Sequence, residues 1–183
     1  GVHVMYGVPR LKTHAKLALI VRKEEGSVRR YCHLSTGNYN DRTAQIYGDL
    51  GLLTAHEAIC AEVAQVFDLL TGYAAPATFR HLLVAPQHMR GEFIQRIRRE
   101  ADNARAGKQS GIIAKMNSLV DTEMIDELYL AGQAGVPIQL IIRGICCLKP
   151  GVPGLSENIR VLSIIDRFLE HARVYIFEND GAP

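Results

Sequence analysis

The stretch Lys12-Thr13-His14-Ala15-Lys16, followed by the apolar run Leu17–Val21, sets the expectations for the whole chain. An apolar run of this length predicts a buried β-strand. Residues two apart on a strand project from the same face, so we expect His14 and Lys16 to lie side by side. An imidazole that can attack phosphorus beside a fixed cation suits phosphoryl transfer. The alternative is a histidine at a strand edge next to a solvated lysine.

The same pattern occurs a second time near the C-terminus. His171-Ala172-Arg173 repeats the order of histidine, alanine and cation, and the apolar residues 174–177 follow it. The chain has seven histidines, and only His14 and His171 share this context. A repeated context indicates two similar lobes. We therefore expect two half-sites, which together would give one site with two histidines.

Composition limits the class of protein. A hydrophobic content of 48% with 22% charged residues is ordinary for an α/β protein that buries a core. No apolar stretch approaches the roughly 18 residues of a membrane span, and no signal peptide pattern is present. The net charge of +2 means that a polyanion would have to be bound by a local patch. The four cysteines lack zinc-ligand spacing and predict reduced structural thiols in a cytosolic protein.

Periodicity and turn signals predict an α/β chain. In the first part of the chain, the predicted elements are a strand at 2–6, the strand after His14, a return strand at 28–34, and a helix opened by a capping box at Thr54 and ended by Gly72. They are followed by a strand at 81–85, a helix at 92–106, a strand at 111–116, and a helix capped by Asp121 and ended by Gly135. The last predicted elements are strands at 137–143 and 158–163, a turn of helix reaching Glu170, and the strand after His171. Residues 74–77 are the predicted linker. Because the first strand starts almost at residue 1, we expect the chain to be a piece of a longer protein.

Two polar features of this arrangement are candidate anion sites. The loop Ser35–Asn40 is rich in small hydrogen-bonding groups, which favour either anion binding or an ordinary polar turn. The second half alternates strand and helix, which predicts a largely parallel sheet. Ligands of such sheets gather at the carboxyl ends of the strands, where Lys115 and Arg143 lie.

The chain resembles a known family along most of its length. The histidine pair resembles the repeated signature of the phospholipase D superfamily, and the whole chain is similar to the C-terminal catalytic half of bacterial polyphosphate kinase. The stretches that carry the resemblance are Leu11–Leu17, Leu34–Asn40, Tyr47–Thr54, Ala114–Val120, Arg143–Arg160 and Phe168–Arg173. The resemblance implies two phospholipase D-like α/β domains around a positively charged tunnel, each a mixed, largely parallel sheet flanked by helices. Residues 1–80 would be part of the first domain, truncated at its N-terminus, and residues 81–183 the second.

The resemblance also implies a transferase reaction, in which the ATP γ-phosphate passes reversibly to a histidine and then to inorganic polyphosphate. His14 matches the phosphorylated histidine, and Tyr47, Arg143 and His171 match nucleotide-contacting residues. Tyr47 would either stack on adenine or bond a phosphate, and His171 would orient the phosphate or protonate the leaving oxygen. From residue chemistry, Lys16, Arg143 and Arg173 are the cations expected on the phosphate oxygens.

The same resemblance implies partners and a cofactor. The partners are ATP, ADP and polyphosphate, with no nucleic acid and with homo-oligomers of the full-length protein. Magnesium would be bound largely upstream, so no metal ligand is assigned here, and the location would be cytoplasmic or peripheral at the inner membrane. We expect the isolated segment to fold but to have little or no synthase activity without its upstream domains.

One departure from the superfamily pattern separates the alternatives. Phospholipase D motifs carry an Asp five residues after the Lys, and Val21 stands there in the first copy and Glu178 in the second. A carboxylate at that position would help to set the tautomer of a catalytic histidine. Its absence beside His14 argues against a phosphodiesterase or nuclease, and we expect a backbone carbonyl or another carboxylate to orient that ring. The third alternative is a non-catalytic polyanion-binding module.

Overall fold

The computed structural model describes residues 1–72 and 78–183, which form two compact units. Residues 1–44 and 49–84 belong to the first unit, and residues 45–48 and 85–183 to the second. The strands are β1 (Leu17–Glu24), β2 (Ser27–Ser35), β3 (Tyr47–Gly48), β4 (Gly51–Thr54), β5 (Ile112–Met116), β6 (Ile138–Ile142), β7 (Ile159–Leu162), β8 (Leu169–Glu170) and β9 (Val174–Phe177). The helices are α1 (Asp41–Ala44), α2 (Glu57–Thr71), α3 (Met89–Arg105) and α4 (Thr122–Gln133), with a 3-10 turn at Asn179–Gly181. The predicted linker at 74–77 lies outside the described residues.

The first unit is an antiparallel sheet in the order β1-β2-β4, covered on one face by α2. The β1–β2 hairpin turns at Glu25 and Gly26, whose positive φ angles of 48° and 84° suit a tight hairpin turn. The return strand is thereby confirmed. The expectation of a largely parallel sheet is wrong for this unit, because a hairpin joins β1 to β2 and both described pairings are antiparallel.

The core of the first unit lies between β2 and α2. Cys32 packs there against Cys60 and Val63, and each of the three is at most 1% exposed. Strand β1 is less buried than its apolar sequence predicts, since Ile20 and Val21 are 54% and 57% exposed. An apolar run therefore identified the strand correctly but overestimated its burial.

Helix α2 ends where it was predicted to end and begins slightly later. Gly72 closes it in the left-handed conformation, with φ of 77°. His56, not Thr54, is the N-cap, and its ring Nδ1 accepts from Ile59 N at 3.4 Å. Thr54 instead ends β4, and its hydroxyl accepts from His56 N at 3.0 Å. The helix begins at a later N-cap than predicted because Thr54, the first residue of the capping-box pattern, belongs to strand β4.

Three further predictions of local structure are wrong. Residues 2–6 form no strand within the described chain, and Val2 and Tyr6 are 90% and 98% exposed, since β-propensity alone does not supply a partner strand. Residues 81–85 form no strand either, and the first two of them, His81 and Leu82, donate their backbone N–H groups to the Glu62 carboxylate. The turn of helix before Glu170 is replaced by strand β8.

The second unit has a four-stranded sheet in the order β7-β6-β5-β9. The first three strands are parallel and β9 runs antiparallel to β5, so the mixed, largely parallel sheet is confirmed in this unit. Helices α3 and α4 cover one face, with Ile97, Leu128 and Leu140 among the buried contacts. Asp121 caps α4 as predicted, accepting from Met124 N at 3.0 Å.

Candidate functional site

His14 and Lys16 lie side by side, as the sequence predicts, but they precede β1 instead of sharing its face. Lys16 Nζ lies 3.2 Å from both ring nitrogens of His14 and donates to the His14 carbonyl oxygen at 2.7 Å. The imidazole is exposed. Because the ammonium is equally distant from both nitrogens, it does not by itself select a tautomer. The arrangement places a fixed positive charge beside an accessible nucleophile.

The polar loop Ser35–Asn40 begins directly beside this pair. Ser35 N donates to the Lys16 carbonyl oxygen at 3.0 Å, so the backbones of Lys16 and the loop are joined. The Ser35 hydroxyl accepts from Gly37 N at 2.9 Å, and the Thr36 hydroxyl donates to Asp49 Oδ1 at 2.8 Å. A Cβ at position 37 would lie 2.6 Å from Asp49 Oδ2, so the loop path requires glycine there. These hydroxyls close the loop, which favours the polar-turn alternative for Ser35 and Thr36.

In the second unit, two short strands bring Tyr47 and His171 together. Strands β3 and β8 pair in parallel, with Tyr47 opposite Leu169, and His171 N donates to the Gly48 carbonyl oxygen at 3.2 Å. The rings of Tyr47 and His171 are 5.0 Å apart between centroids and inclined at 42°. His171 is only 8% exposed. Two residues assigned to the same nucleotide from the resemblance are therefore in direct contact.

Charged residues lie on either side of His171. Glu170, immediately before it, accepts from Lys115 Nζ at 2.6 Å, and Arg173 Nη1 donates to the His171 carbonyl oxygen at 3.3 Å. Lys115 was predicted at a ligand-binding strand end, and Glu170 was not predicted. The only sequence signal for Glu170 was its position next to a singled-out histidine.

Arg143 follows β6 at its carboxyl end, as predicted, and Asn117 occupies the matching position after β5. Gly144 N donates to the Asn117 carbonyl oxygen at 2.8 Å, which holds the two strand ends together. Arg143 Nε and Asn117 Oδ1 are buried and form no hydrogen bond within the part of the chain that the structure describes. Buried polar atoms normally have partners, so these two atoms mark a place where a polar ligand would be favourable.

Glu178 follows strand β9 at the end away from His171, and its backbone N–H donates to the Gly111 carbonyl oxygen at 3.0 Å. A role for this carboxylate beside His171 stays a prediction. The group that orients His14 stays a prediction.

Residues 1–72 and 78–183 contain no group of three or more His, Cys, Asp or Glu side chains that could hold a metal ion. No helix there is long and apolar enough to cross a membrane.

Comparison with known proteins identifies the family. Residues 1–76 match the family model described as polyphosphate kinase C-terminal domain 1, and residues 82–183 match polyphosphate kinase C-terminal domain 2. The chain belongs to the polyphosphate kinase family. It is 57% identical over its whole length to the polyphosphate kinase of Thermosynechococcus vestitus, and 53% identical over 99% of its length to that of Synechocystis.

A solved polyphosphate kinase has the same fold. The crystal structure of polyphosphate kinase from Porphyromonas gingivalis matches with a TM-score of 0.87 and 44% identity, over 96% of this chain and 29% of that chain. The chain spans about a quarter of the length of the two curated relatives above.

Proposed function

We propose that the chain is the catalytic portion of a polyphosphate kinase, in which His14 carries the γ-phosphate of ATP on its way to inorganic polyphosphate. The observation that carries this proposal is the exposed imidazole of His14 with Lys16 Nζ at 3.2 Å. Family membership over the whole chain supports the reaction class.

The chemistry takes two in-line displacements on phosphorus. An unprotonated ring nitrogen of His14 attacks the γ-phosphorus, the bond from phosphorus to the bridging oxygen of ADP breaks, and a phosphorus–nitrogen bond forms. A terminal oxygen of polyphosphate then attacks the same phosphorus, the phosphorus–nitrogen bond breaks, and His14 is regenerated. Lys16 neutralises charge on the phosphoryl oxygens in both steps. Each step can run backwards, so ADP and polyphosphate would return ATP.

The residues that we propose as nucleotide contacts all belong to the second unit. Tyr47 and His171 offer one contiguous aromatic surface, because their centroids are 5.0 Å apart. Arg143 offers a buried Nε with no hydrogen bond in the described chain, and its guanidinium can form two parallel bonds to phosphate oxygens. Arg173 donates one hydrogen bond, from Nη1, to the His171 carbonyl oxygen. This bond orients the side chain, and the remaining N–H groups of the guanidinium can donate to phosphate.

The resemblance supports several properties of the whole protein. Residues 1–80 and 81–183 would be the two phospholipase D-like domains. Magnesium would be bound by residues upstream of this chain, and no step above is assigned to it. Homo-oligomers of the full-length protein and a cytoplasmic or membrane-peripheral location complete the proposal, and cell fractionation with size-exclusion chromatography tests both.

A labelling experiment tests the proposed nucleophile. The 183-residue chain, and a chimera in which it replaces the matching segment of the Thermosynechococcus vestitus enzyme, are incubated with ATP labelled at the γ-phosphate. We expect an acid-labile, base-stable protein adduct that His14→Ala abolishes and that His3→Ala, at an exposed histidine outside the proposed site, retains. Label that survives His14→Ala overturns the assignment. Release of nucleotides from DNA would instead favour a phosphodiesterase.

A further inference from the structure

The ion pair between Lys115 and Glu170 occupies an unusual position in the second unit. Lys115 Nζ lies 2.6 Å from Glu170 Oε2, and the two side chains are only 17% and 27% exposed. Glu170 is the residue immediately before His171 and the last residue of β8. The pair is thus more protected than an ordinary surface ion pair and lies next to the aromatic contact.

The backbone around His171 has little other support from regular structure. Strands β3 and β8 are two residues long, and each is the other's only partner among the described strands. Two paired residues fix a strand direction poorly, because few ladder hydrogen bonds hold them. The Tyr47–His171 ring contact depends on the placement of these two strands.

Lys115, in contrast, belongs to one of the two central strands of the four-stranded sheet. Strand β5 is paired on both sides, with β6 and with β9, and Lys115 lies opposite Ile141 and Val174. Because the backbone of such a strand is held on both sides, the Cα position of Lys115 is well defined. The ion pair therefore joins the weakly supported ladder to a rigid part of the sheet.

We propose that Lys115 and Glu170 are positioning residues, which hold Tyr47 and His171 in contact so that the two rings form the nucleotide surface. The nucleotide part of this inference rests on the proposed function. Lys115 lies where a cation that binds phosphate would be expected, but its ammonium is engaged by Glu170. The charge at this strand end therefore stabilises the protein scaffold, and Arg143 is the cation that meets the nucleotide.

The test is a charge-reversal cycle in the 183-residue chain, made from Lys115→Glu, Glu170→Lys and the double variant. The conservative changes Lys115→Met and Glu170→Gln accompany them in case a reversed charge prevents folding. Nuclear Overhauser effects between the Tyr47 and His171 rings report the contact without nucleotide, and calorimetry reports ATP affinity. The control is Lys108→Met, which removes a more exposed ion pair with Asp180 (2.9 Å; 53% and 45% exposed) in the same unit.

We expect each single variant to lose the ring–ring signal and to bind ATP about tenfold more weakly, the double reversal to recover both, and Lys108→Met to change neither. A purely structural pair would lower the melting temperature and leave the ring–ring signal intact, which would overturn the proposal. Loss of ATP binding in Lys115→Met but not in Glu170→Gln would also overturn it, by making Lys115 a direct phosphate ligand. If the wild-type chain shows the ring contact but binds no ATP, the proposed function fails. The positioning role is then decided only by whether the single variants lose the nuclear Overhauser effects between the Tyr47 and His171 rings.

Discussion

The ring of Tyr47 lies 5.0 Å from the ring of His171, and the backbone N–H of His171 donates to the carbonyl oxygen of Gly48, the residue after Tyr47. Two segments far apart in the sequence therefore approach each other through backbone and side chain at once. The contact is built on two strands of two residues each. The aromatic surface proposed for the nucleotide is therefore created by tertiary structure, at a place where regular secondary structure is minimal.

Replacement of Tyr47 tests this surface. Tyr47→Ala removes the ring, and we expect ATP affinity to fall about 2- to 10-fold, the size of an aromatic contact of roughly 0.5–1.5 kcal/mol. Tyr47→Phe distinguishes the two roles of the side chain: stacking survives it, whereas a hydroxyl bond to phosphate does not. Calorimetric titration with ATP measures both variants, with Tyr6→Ala, at a tyrosine that is 98% exposed, as the control. Unchanged affinity in Tyr47→Ala would remove Tyr47 from the site.

Glu62 predicts a pH dependence of folding. Burial alone would raise the pKa of this carboxyl, but hydrogen bonds from Arg80 N, the His81 ring, Leu82 N and His81 N outweigh it and lower the pKa to about 2. A depressed carboxyl pKa stabilises the fold above its ordinary value near 4.5, and this stabilisation is lost as the pH falls from about 4.5 to 2. The shift corresponds to about 3 kcal/mol.

Urea unfolding between pH 7 and pH 2 measures this effect. Glu62→Gln should lower the free energy of unfolding at pH 7 and flatten its decline below pH 4.5, because the amide does not ionise. Glu57→Gln, at an exposed glutamate in the first turn of the same helix, should leave the decline intact. Equal pH profiles for wild type and Glu62→Gln would show that the carboxylate does not supply the stabilisation.

Asp121 combines a helix cap with an ion pair. Its carboxylate accepts from Met124 N and from Arg90 Nε and Nη2, at 3.0, 3.0 and 2.9 Å, and Arg90 first and the Met124 amide second lower its pKa. We expect Asp121→Ala to cost about 1 kcal/mol from the lost cap alone. Asp121→Asn keeps the cap and weakens the ion pair, so its whole difference from wild type should shrink at high salt, whereas the part of the Asp121→Ala difference that comes from the lost cap should remain. Thermal unfolding at two salt concentrations measures both, and equal destabilisation by the two variants would contradict the capping role.

The four thiols should differ in reactivity. Cys32 and Cys60 are at most 1% exposed with sulfurs 3.4 Å apart, and burial first, then the interaction with the Cys60 thiol, raises the pKa of Cys32 to about 11. Cys147 is exposed. Because the thiolate is the reactive form, we expect alkylation of Cys147 first and of Cys32 only after unfolding. Mass spectrometry after timed iodoacetamide treatment measures the order, and a denatured sample provides the control. Modification of Cys32 as fast as Cys147 would contradict the buried, protonated state.

The sequence was sufficient to predict features that depend on interactions between residues close together in the chain. Asp121 and Gly72 mark helix ends because a cap side chain and a left-handed residue act within one turn. The parallel strands β5 and β6 were predictable because apolar strands alternate with an amphipathic helix. The approach of Lys16 to His14 was predicted as well, since two residues determine it.

Only tertiary structure decided the features that join distant segments. The carboxylate of Glu62 accepts the backbone N–H groups of His81 and Leu82, which begin the segment whose sequence predicts a strand. In the same way, Lys115 of the four-stranded sheet contacts Glu170 of the two-stranded sheet, and Tyr47 contacts His171 beside a two-residue ladder. The sequence by itself determined the two histidine motifs and the strands that follow them. Tertiary structure decided which partners surround His171, because a hydrogen bond or ring contact between residues far apart in the sequence leaves no periodic pattern from which it could be predicted.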